Sequence, residues 1–222
     1  MKIRVVTDRP WDVPADVLVV PVLGETSLAG PAAELDRRTG GHLGALVEFG
    51  ELATRRFATI LTGAGTMGED GPRVAHLMAV RAGDAAGLDR ETVVKVAATA
   101  ERRLTGRAVK RLAVWLEPLS ALDGGAVAVA ELVARGVVEG GYDPQALYRD
   151  EPTSPPQLDE LVLIAPRASS HPEIETAAER GRIIGEGSNL ARTLSNRASN
   201  DMSPEVLAEE SYGLAKRHGL WI

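Results

Sequence analysis

The fold is decided by a nearly unbroken apolar run early in the chain, Val17-Leu-Val-Val-Pro-Val-Leu23. A run of this kind is typical of a strand covered on both faces, because a half-exposed strand would alternate apolar with polar residues. Similar short runs recur along the chain, at residues 3–7, 57–62, 93–98, 111–116 and 161–165. The sequence therefore predicts a buried sheet. A further strand or hairpin is predicted at residues 45–52, where two glycines bracket an alternating pattern.

Segments of helical periodicity lie between these runs, at residues 30–39, 71–86, 98–104, 124–140 and 172–196. Prolines stand near the starts of three of them, where the missing N–H costs nothing, at Pro31, Pro72 and Pro172. The alternation of short strands with longer helices predicts an α/β sandwich. The proline-rich residues 142–156 predict an irregular surface segment before the last strand.

Composition sets the broad class of protein. With 222 residues, 44% hydrophobic and 25% charged, the chain can bury one core of ordinary size. Its net charge of −6 disfavours nucleic acid as a partner, although a local basic patch remains open. No apolar run approaches the roughly 18 to 20 residues that span a bilayer, and we expect a cytoplasmic protein without a membrane partner. The absence of cysteine excludes disulfides, a thiolate nucleophile and cysteine-ligated zinc.

A glycine motif follows the predicted strand at 57–62. Gly63-Ala-Gly-Thr-Met-Gly68 is a literal GxGxxG ahead of a predicted helix, the order found at dinucleotide sites. However, Glu69-Asp-Gly-Pro72 separates the last glycine from that helix, and its two carboxylates would repel a phosphate. We therefore favour a turn that merely reverses the chain. Phosphate binding is the alternative, and whether the loop at 63–71 binds any ligand stays open.

No other motif predicts a catalytic, cofactor or metal site. The four histidines lack metal-ligand spacing: His42, His76, His171 and His218. The paired carboxylates are typical of solvated loops and helix ends: Glu34/Asp36, Glu69/Asp70, Asp150/Glu151, Asp159/Glu160 and Glu209/Glu210. There is no GxSxG elbow, and Gly187-Ser-Asn189 lies inside a helical pattern. We predict that none of these residues does chemistry.

The long helix at 172–196 carries a stripe of small residues spaced three or four apart: Ala177, Gly181, Gly185, Ser188 and Ala191. Each glycine costs about 1 kcal/mol of helix propensity relative to alanine. Their clustering on one face therefore predicts a tightly crossed neighbour. That neighbour lies either within the chain or across a subunit boundary.

After this helix the pattern stops and restarts. Ser195-Asn-Arg-Ala-Ser-Asn200 ends it, and a new helix begins with Ser203 as N-cap and Pro204 at its first position. An apolar face is predicted on that helix at Val206, Leu207, Leu214 and Ala215. His218-Gly219 is typical of a helix end, and Leu220-Trp-Ile222 is expected to begin a strand. We expect the chain to be part of a larger protein.

The most specific pattern spans this corner, Glu186-Gly-Ser-Asn-Leu-Ala-Arg-Thr-Leu-Ser-Asn-Arg-Ala-Ser-Asn-Asp-Met-Ser-Pro-Glu-Val-Leu-Ala208. It resembles the leucyl aminopeptidase family, the dinuclear-metal cytosolic aminopeptidases, in which a helix ending Ala-Arg-x-Leu-x-Asn runs through Pro-x-Asn to Thr-Pro and a new helix. The matching positions are Arg192, Leu194, Asn196, Asn200 and Pro204. Arg197 stands where the family usually has proline, and Ser203 replaces threonine, which predicts a looser corner.

Two shorter segments are also similar to this family. Ala58-Thr-Ile-Leu-Thr-Gly-Ala-Gly65 resembles its strand into Gly-x-Gly. Val133-Ala-Arg-Gly-Val-Val-Glu-Gly-Gly-Tyr-Asp143 resembles its Glu-Gly-x-x-x-Gly-x-Tyr region. Glycine turns recur widely, so these segments are less specific than the corner.

The resemblance implies three parts. Residues 1–168 would form a macro-domain-like α/β domain, a three-layer sandwich with a mixed, mostly parallel sheet. Residues 169–200 would form a linker helix and corner, and residues 201–222 the start of a truncated catalytic domain. The family's metal and catalytic residues belong to Lys-Gly-x-Thr-x-Asp-x-Gly-Gly, Asp-Met-Gly-Gly and Asn-Thr-Asp-Ala-Glu-Gly-Arg segments. None of these occurs here.

The resemblance also implies a function. The parent protein would release N-terminal amino acids from peptides with two divalent metals, Mn or Zn, in the missing domain. The 222 residues alone would be inactive and would serve hexamer assembly and access to the active sites. The alternative is a free-standing macro-like module that binds ADP-ribose or a related nucleotide near residues 63–71.

Overall fold

The computed structural model describes residues 1–24, 28, 30–53, 55–65, 73–148 and 158–221. Within them a six-stranded sheet has the order β1-β6-β5-β2-β4-β3. The strands are β1 (Lys2–Val6), β2 (Ala15–Leu23), β3 (Thr59–Gly63), β4 (Val74–Gly83), β5 (Arg111–Trp115) and β6 (Glu160–Ile164). Every neighbouring pair is parallel except β3 with β4. The predicted mixed, mostly parallel sheet is confirmed.

Six α-helices accompany the sheet in the described residues: α1 (Pro31–Arg38), α2 (His42–Glu48), α3 (Arg90–Leu104), α4 (Gly125–Gly140), α5 (His171–Asn196) and α6 (Pro204–His218). Short 3-10 turns lie at Pro10–Asp12, Ala85–Gly87, Glu117–Leu119 and Pro144–Tyr148. Among these helices, none combines the length and the apolar composition needed to cross a membrane.

The sheet is covered on both sides because its strand residues alternate between two cores. On β2, Val17 and Val19 join a cluster with buried residues of α3, α4 and α5. Leu18 and Val20 point the other way and join a cluster with α1 and α2. The period of two in a strand produces this division. The result is the expected sandwich of helices, sheet and helices.

The helix predicted at 71–86 is wrong. Residues 74–83 form β4, which pairs with β2 on one side and β3 on the other. Its middle residues Leu77, Met78, Ala79 and Val80 are all buried. Hydrogen bonding to two neighbouring strands and burial on both faces outweigh the local helical spacing. Pro72, which suggested a helix start, lies outside the described residues.

Two predicted strands are helices. The run at 93–98 belongs to α3, whose N-cap Asp89 accepts a 2.7 Å hydrogen bond from the Thr92 amide. The buried residues of α3 recur at helical spacing: Val93, Val96, Ala97, Ala100 and Leu104. That stripe faces the core and overrides the strand propensity of the valines. At 45–52, Leu43 and Val47 face the core one turn apart, so α2 replaces the expected strand.

The helices on one side of the sheet pack unusually closely. A Cβ on Gly136 of α4 would overlap the Val94 carbonyl of α3, and one on Gly181 of α5 would overlap the Glu131 carbonyl of α4. Ala177, Gly181 and Gly185 are buried in this contact. The tightly crossed neighbour predicted from the stripe is therefore α4 of the same chain. Ala191, at the end of the stripe, is exposed.

Candidate functional site at the corner after the long helix

The boundaries of the corner follow the predicted caps. α5 ends at Asn196, and α6 begins where the Ser203 hydroxyl accepts a hydrogen bond from the Val206 amide (3.4 Å). Pro204 occupies the first helical position. Gly219 ends α6 in the left-handed conformation, with φ of 64°. The predicted helix at this place is confirmed, with a fixed start and a fixed end.

The end of α5 is held against the end of α4. Arg192 donates a 3.1 Å hydrogen bond from Nη1 to the Glu139 carbonyl, and its guanidinium lies 5.8 Å from the centre of the Tyr142 ring. Asn196 donates from Nδ2 to the Tyr142 hydroxyl at 3.0 Å. Arg192 and Asn196 are two of the positions that carry the family pattern. Their contacts show that both fix the direction in which the chain leaves α5.

Arg197 supports the turn in place of the proline usual in the family. Its guanidinium pairs with Asp201 at 2.7 Å and with Glu210 of α6 at 3.2 Å. These ion pairs connect the turn to the following helix, although Asp201 and Glu210 are largely exposed. Arg197 in place of proline predicted a looser corner. In the structure this arginine instead forms ion pairs that connect the corner to α6.

α6 leaves much of its apolar surface uncovered. Of the predicted apolar face, Ala215 is buried and Val206 and Leu214 are half-buried, whereas Leu207 is 46% exposed. Other large apolar side chains near the corner are also exposed: Ile183, Ile184, Tyr212, Leu220 and Trp221. The strand expected from Leu220 is wrong for Leu220 and Trp221, which belong to no strand, and Ile222 lies outside the described residues.

The glycine motif sits between two antiparallel strands. Gly63 ends β3 and pairs with His76 of β4, so the chain reverses between them. β4 is the first described element after the motif and is antiparallel to β3, which agrees with a reversal of the chain; the helix predicted after the motif is wrong. Gly65 has φ of 61°, and a Cβ there would lie 2.6 Å from the Thr39 carbonyl oxygen. Residues 66–72, which complete the motif and include Glu69 and Asp70, lie outside the described residues.

The histidines do not come together. His42 begins α2, His171 begins α5, and His218 ends α6. His76 lies on β4 rather than on a helix, with Nδ1 3.1 Å from the Asp16 carbonyl oxygen. In the described ranges, no three His, Asp or Glu side chains lie close enough to hold a metal ion.

The carboxylate pairs have structural partners. Glu34 pairs with Arg38 at 2.6 Å, and Asp36 accepts the Gly44 amide at 2.9 Å. Other carboxylates pair with arginine or lysine: Asp159 with Lys110, Glu160 with Arg4 and Arg111, and Glu210 with Arg197. Asp150 and Glu151 lie outside the described residues. The Gly187-Ser-Asn189 segment lies within α5, where the Asn189 side chain donates a 2.8 Å hydrogen bond to the Val138 carbonyl. This contact gives the segment a packing role.

Glu101 on α3 is a titratable residue that the motifs did not single out. Burial raises the pKa of its carboxyl to about 7. The side chain lies against Gly140 and Gly141 at the end of α4, where the missing Cβ atoms let the two helices approach. Sequence gives no signal for this residue, because its burial depends on the contact between α3 and the end of α4.

Comparison with known families identifies the family of the chain. The model of the cytosol aminopeptidase family, N-terminal domain, matches residues 19–150. The chain belongs to the cytosol aminopeptidase family. The match covers most of the sheet and the helices α1 to α4. The expected family is thus confirmed for the N-terminal domain.

Curated relatives of this aminopeptidase domain extend the match over nearly the whole chain. A probable cytosol aminopeptidase of Pseudomonas aeruginosa is 28% identical over 216 residues, which cover 97% of this chain and 42% of that protein. Those of Solibacter usitatus and Roseiflexus castenholzii are 28% and 29% identical, with 99% and 97% of this chain covered. The chain spans about 42% of the length of the first of these relatives.

Solved structures agree on the fold of the aminopeptidase domain. A mutant of tomato leucine aminopeptidase superposes with a TM-score of 0.78 at 20% identity, covering 99% of this chain and 43% of that one. The bottromycin maturation enzyme BotP in complex with Mn superposes with a TM-score of 0.58 at 26% identity, covering 92% of this chain and 37% of that one. The corner and α6 fall within the superposed part of the tomato enzyme.

Proposed function

We propose that this chain is the non-catalytic N-terminal part of a leucyl-type metallo-aminopeptidase that removes N-terminal amino acids from peptides. Its own role is assembly and control of access to the active sites. The observation that carries the proposal is the corner: α5 packs closely on α4, and α6 after it presents uncovered apolar side chains.

The proposal divides the chain into three parts. Residues 1–168 contain the sheet and the helices α1 to α4. Residues 169–200 are the linker, because α5 is buried near Ala177 and Gly181 but exposed at Ala191. Residues 201–222 begin a second domain, to which the exposed Leu207 and Trp221 would contribute apolar contacts. The greater length of the curated relatives supports this division.

Catalysis is assigned to the second domain. The described residues provide no group that fits a metal centre, whereas one similar solved structure is a complex with Mn. Two divalent metals, Mn or Zn, would there polarise the scissile carbonyl and activate a water. The complete protein would act on peptides as a homo-oligomer, a hexamer as in the family, in the cytoplasm indicated by the names of its relatives.

The ADP-ribose module stays a second candidate without an observation in its favour. Its presumed loop at 63–71 joins two antiparallel strands rather than a strand and a helix. Calorimetric titration with ADP-ribose distinguishes the two: micromolar binding that is lost on changing Gly65 would favour the module, and no heat would favour assembly.

The catalytic part of the proposal predicts an inactive chain. We expect the purified 222 residues to release no leucine from leucine p-nitroanilide with Mn²⁺ or Zn²⁺ above a matched blank. A control with a chelator distinguishes metal-dependent turnover from the turnover of metal-independent contaminants. Turnover that persists through repurification, tracks the protein peak and disappears with chelator would contradict the proposal.

A further inference from the structure

A large groove runs along the outer side of α3 and α4. It has a volume of about 740 Å³ and is lined by five cationic side chains: Arg90, Lys95, Arg102, Arg135 and Arg192. The apolar side chains of Val94, Ala98 and Leu132 also line it. We call this feature the basic groove. It is distinct from the corner, although Arg192 contributes to both.

The charges in the basic groove do not cancel. Three carboxylates line it, Glu91, Glu131 and Glu139, against the five cations. Glu131 is shared between Arg90 at 3.0 Å and Arg180 at 3.3 Å. A surplus of positive charge therefore remains in a chain whose net charge is −6. Such local accumulation against the overall charge attracts anions.

Two of the cations are available to a ligand. The guanidinium of Arg102 makes no hydrogen bond or ion pair with any residue in the described part of the chain. Lys95 pairs with Glu91 of its own helix at 2.6 Å, and both side chains are more than half exposed. Exposed pairs of this kind contribute little to stability and are readily exchanged. Arg135 and Arg192 instead hold the buried Glu139, at 2.7 and 3.8 Å.

A strained aromatic residue lies at the edge of the same groove. Phe57 has φ of 62° and is the one non-glycine residue with positive φ among those described. Its amide donates to the Arg81 carbonyl, and the Arg81 amide donates to the Ala58 carbonyl, so the strand bulges at this point. Glycine normally occupies such a position because a side chain there is unfavourable. Retained strain of this kind clusters at functional sites.

We propose that the basic groove binds a compact polyphosphate, the chemistry shared by nucleoside triphosphates and inorganic polyphosphate. Lys95 and Arg102 would contact the phosphate oxygens, because guanidinium and ammonium groups form charge-assisted hydrogen bonds with them. The volume accommodates a ligand of this size. The inference is independent of the assembly role, since it uses a different surface and requires no second domain.

The test is calorimetric titration of the 222-residue chain with tripolyphosphate and with ATP in low-salt, magnesium-free buffer. We expect binding with a dissociation constant below about 1 mM. Arg102→Gln and Lys95→Gln are each expected to weaken it about tenfold. Arg217→Gln removes an exposed arginine of α6 whose side chain has no ion pair with a described residue. It is the matched control and should bind as the parent does. Circular dichroism verifies that each variant folds.

Comparison of the two ligands identifies the source of affinity. Equal affinities for tripolyphosphate and ATP would assign binding to the phosphates alone. If ATP binds more tightly and Phe57→Leu abolishes the difference, the Phe57 ring also contacts the ligand. Both outcomes support the proposal. No binding of either ligand overturns it, as does equal weakening by Arg217→Gln. Tighter binding of a short DNA duplex that is lost in the same groove variants also overturns it, because the groove would then be a nucleic-acid surface.

Discussion

Glycines set the spacing of the helical layer that supports the corner. At Gly181 an added Cβ would overlap the Glu131 carbonyl, a backbone atom that cannot move aside alone. Gly187 lies two turns further along the same helix, and a Cβ there meets nothing within 4 Å. Gly181 therefore allows α5 to pack closely on α4, whereas Gly187 has no such packing role.

These two positions give a paired prediction. Gly181→Ala should destabilise the fold by about 2 to 4 kcal/mol, because α5 must shift away from α4. Gly187→Ala should stabilise it by about 0.5 to 1 kcal/mol through helix propensity alone. Urea denaturation followed by circular dichroism measures both. Similar effects at the two sites would show that the helices do not cross as described.

Glu101 makes stability depend on pH. Burial raises the pKa of its carboxyl to about 7 from 4.5, so the folded state holds the proton more tightly than the unfolded state. Its contribution to stability is full below pH 4.5 and is lost as the pH rises to about 7. Glu101→Gln should therefore gain about 1 to 2 kcal/mol over the parent at pH 8 and little at pH 4.

Denaturation at both pH values checks this, with exposed Glu175→Gln as the control. A gain of the same size at pH 4 and pH 8 would assign the effect to something other than the titration of Glu101. Sequence could predict the small-residue stripe on α5 from spacing alone. It could not predict the raised pKa, because that depends on α3 and α4 meeting at Gly140.

Individual elements show where local patterns were sufficient and where they were not. Prolines predicted the starts of α1 and α5, and Ser203 with Pro204 predicted the start of α6, because these signals are local. The errors fall on β4, α2 and α3, whose form is decided by distant partners: β4 pairs with β2 and β3, and α3 packs a stripe against the sheet.

At the corner, Arg197 connects two elements. Arg197→Gln removes its ion pairs with Asp201 and Glu210, which connect the turn to α6. Amide hydrogens of α6 should then exchange several-fold faster, while those of α3 stay unchanged. Arg217→Gln on α6 is the control. Uniformly faster exchange in both helices would indicate general destabilisation instead of a looser corner.

At the scale of the whole molecule, the fold and the family are established, and the assembly role is the central proposal. The alternation of apolar strand-like runs with helical segments predicted the sandwich. The residues from Arg192 to Pro204 predicted the family. The basic groove could not be predicted, because its cations come from three helices that are far apart in the chain. Their common position depends on the close packing of α3, α4 and α5.

The most direct test joins residues 1–222 to the part of the Pseudomonas aeruginosa relative that follows its matched segment. The fusion and that part alone are compared by sedimentation and by hydrolysis of a dipeptide amide and of a folded protein with the same N-terminus. We expect the fusion to form the larger assembly and to discriminate more strongly against the folded protein. A monomeric fusion, or one that treats both substrates as the second part does alone, would contradict the account.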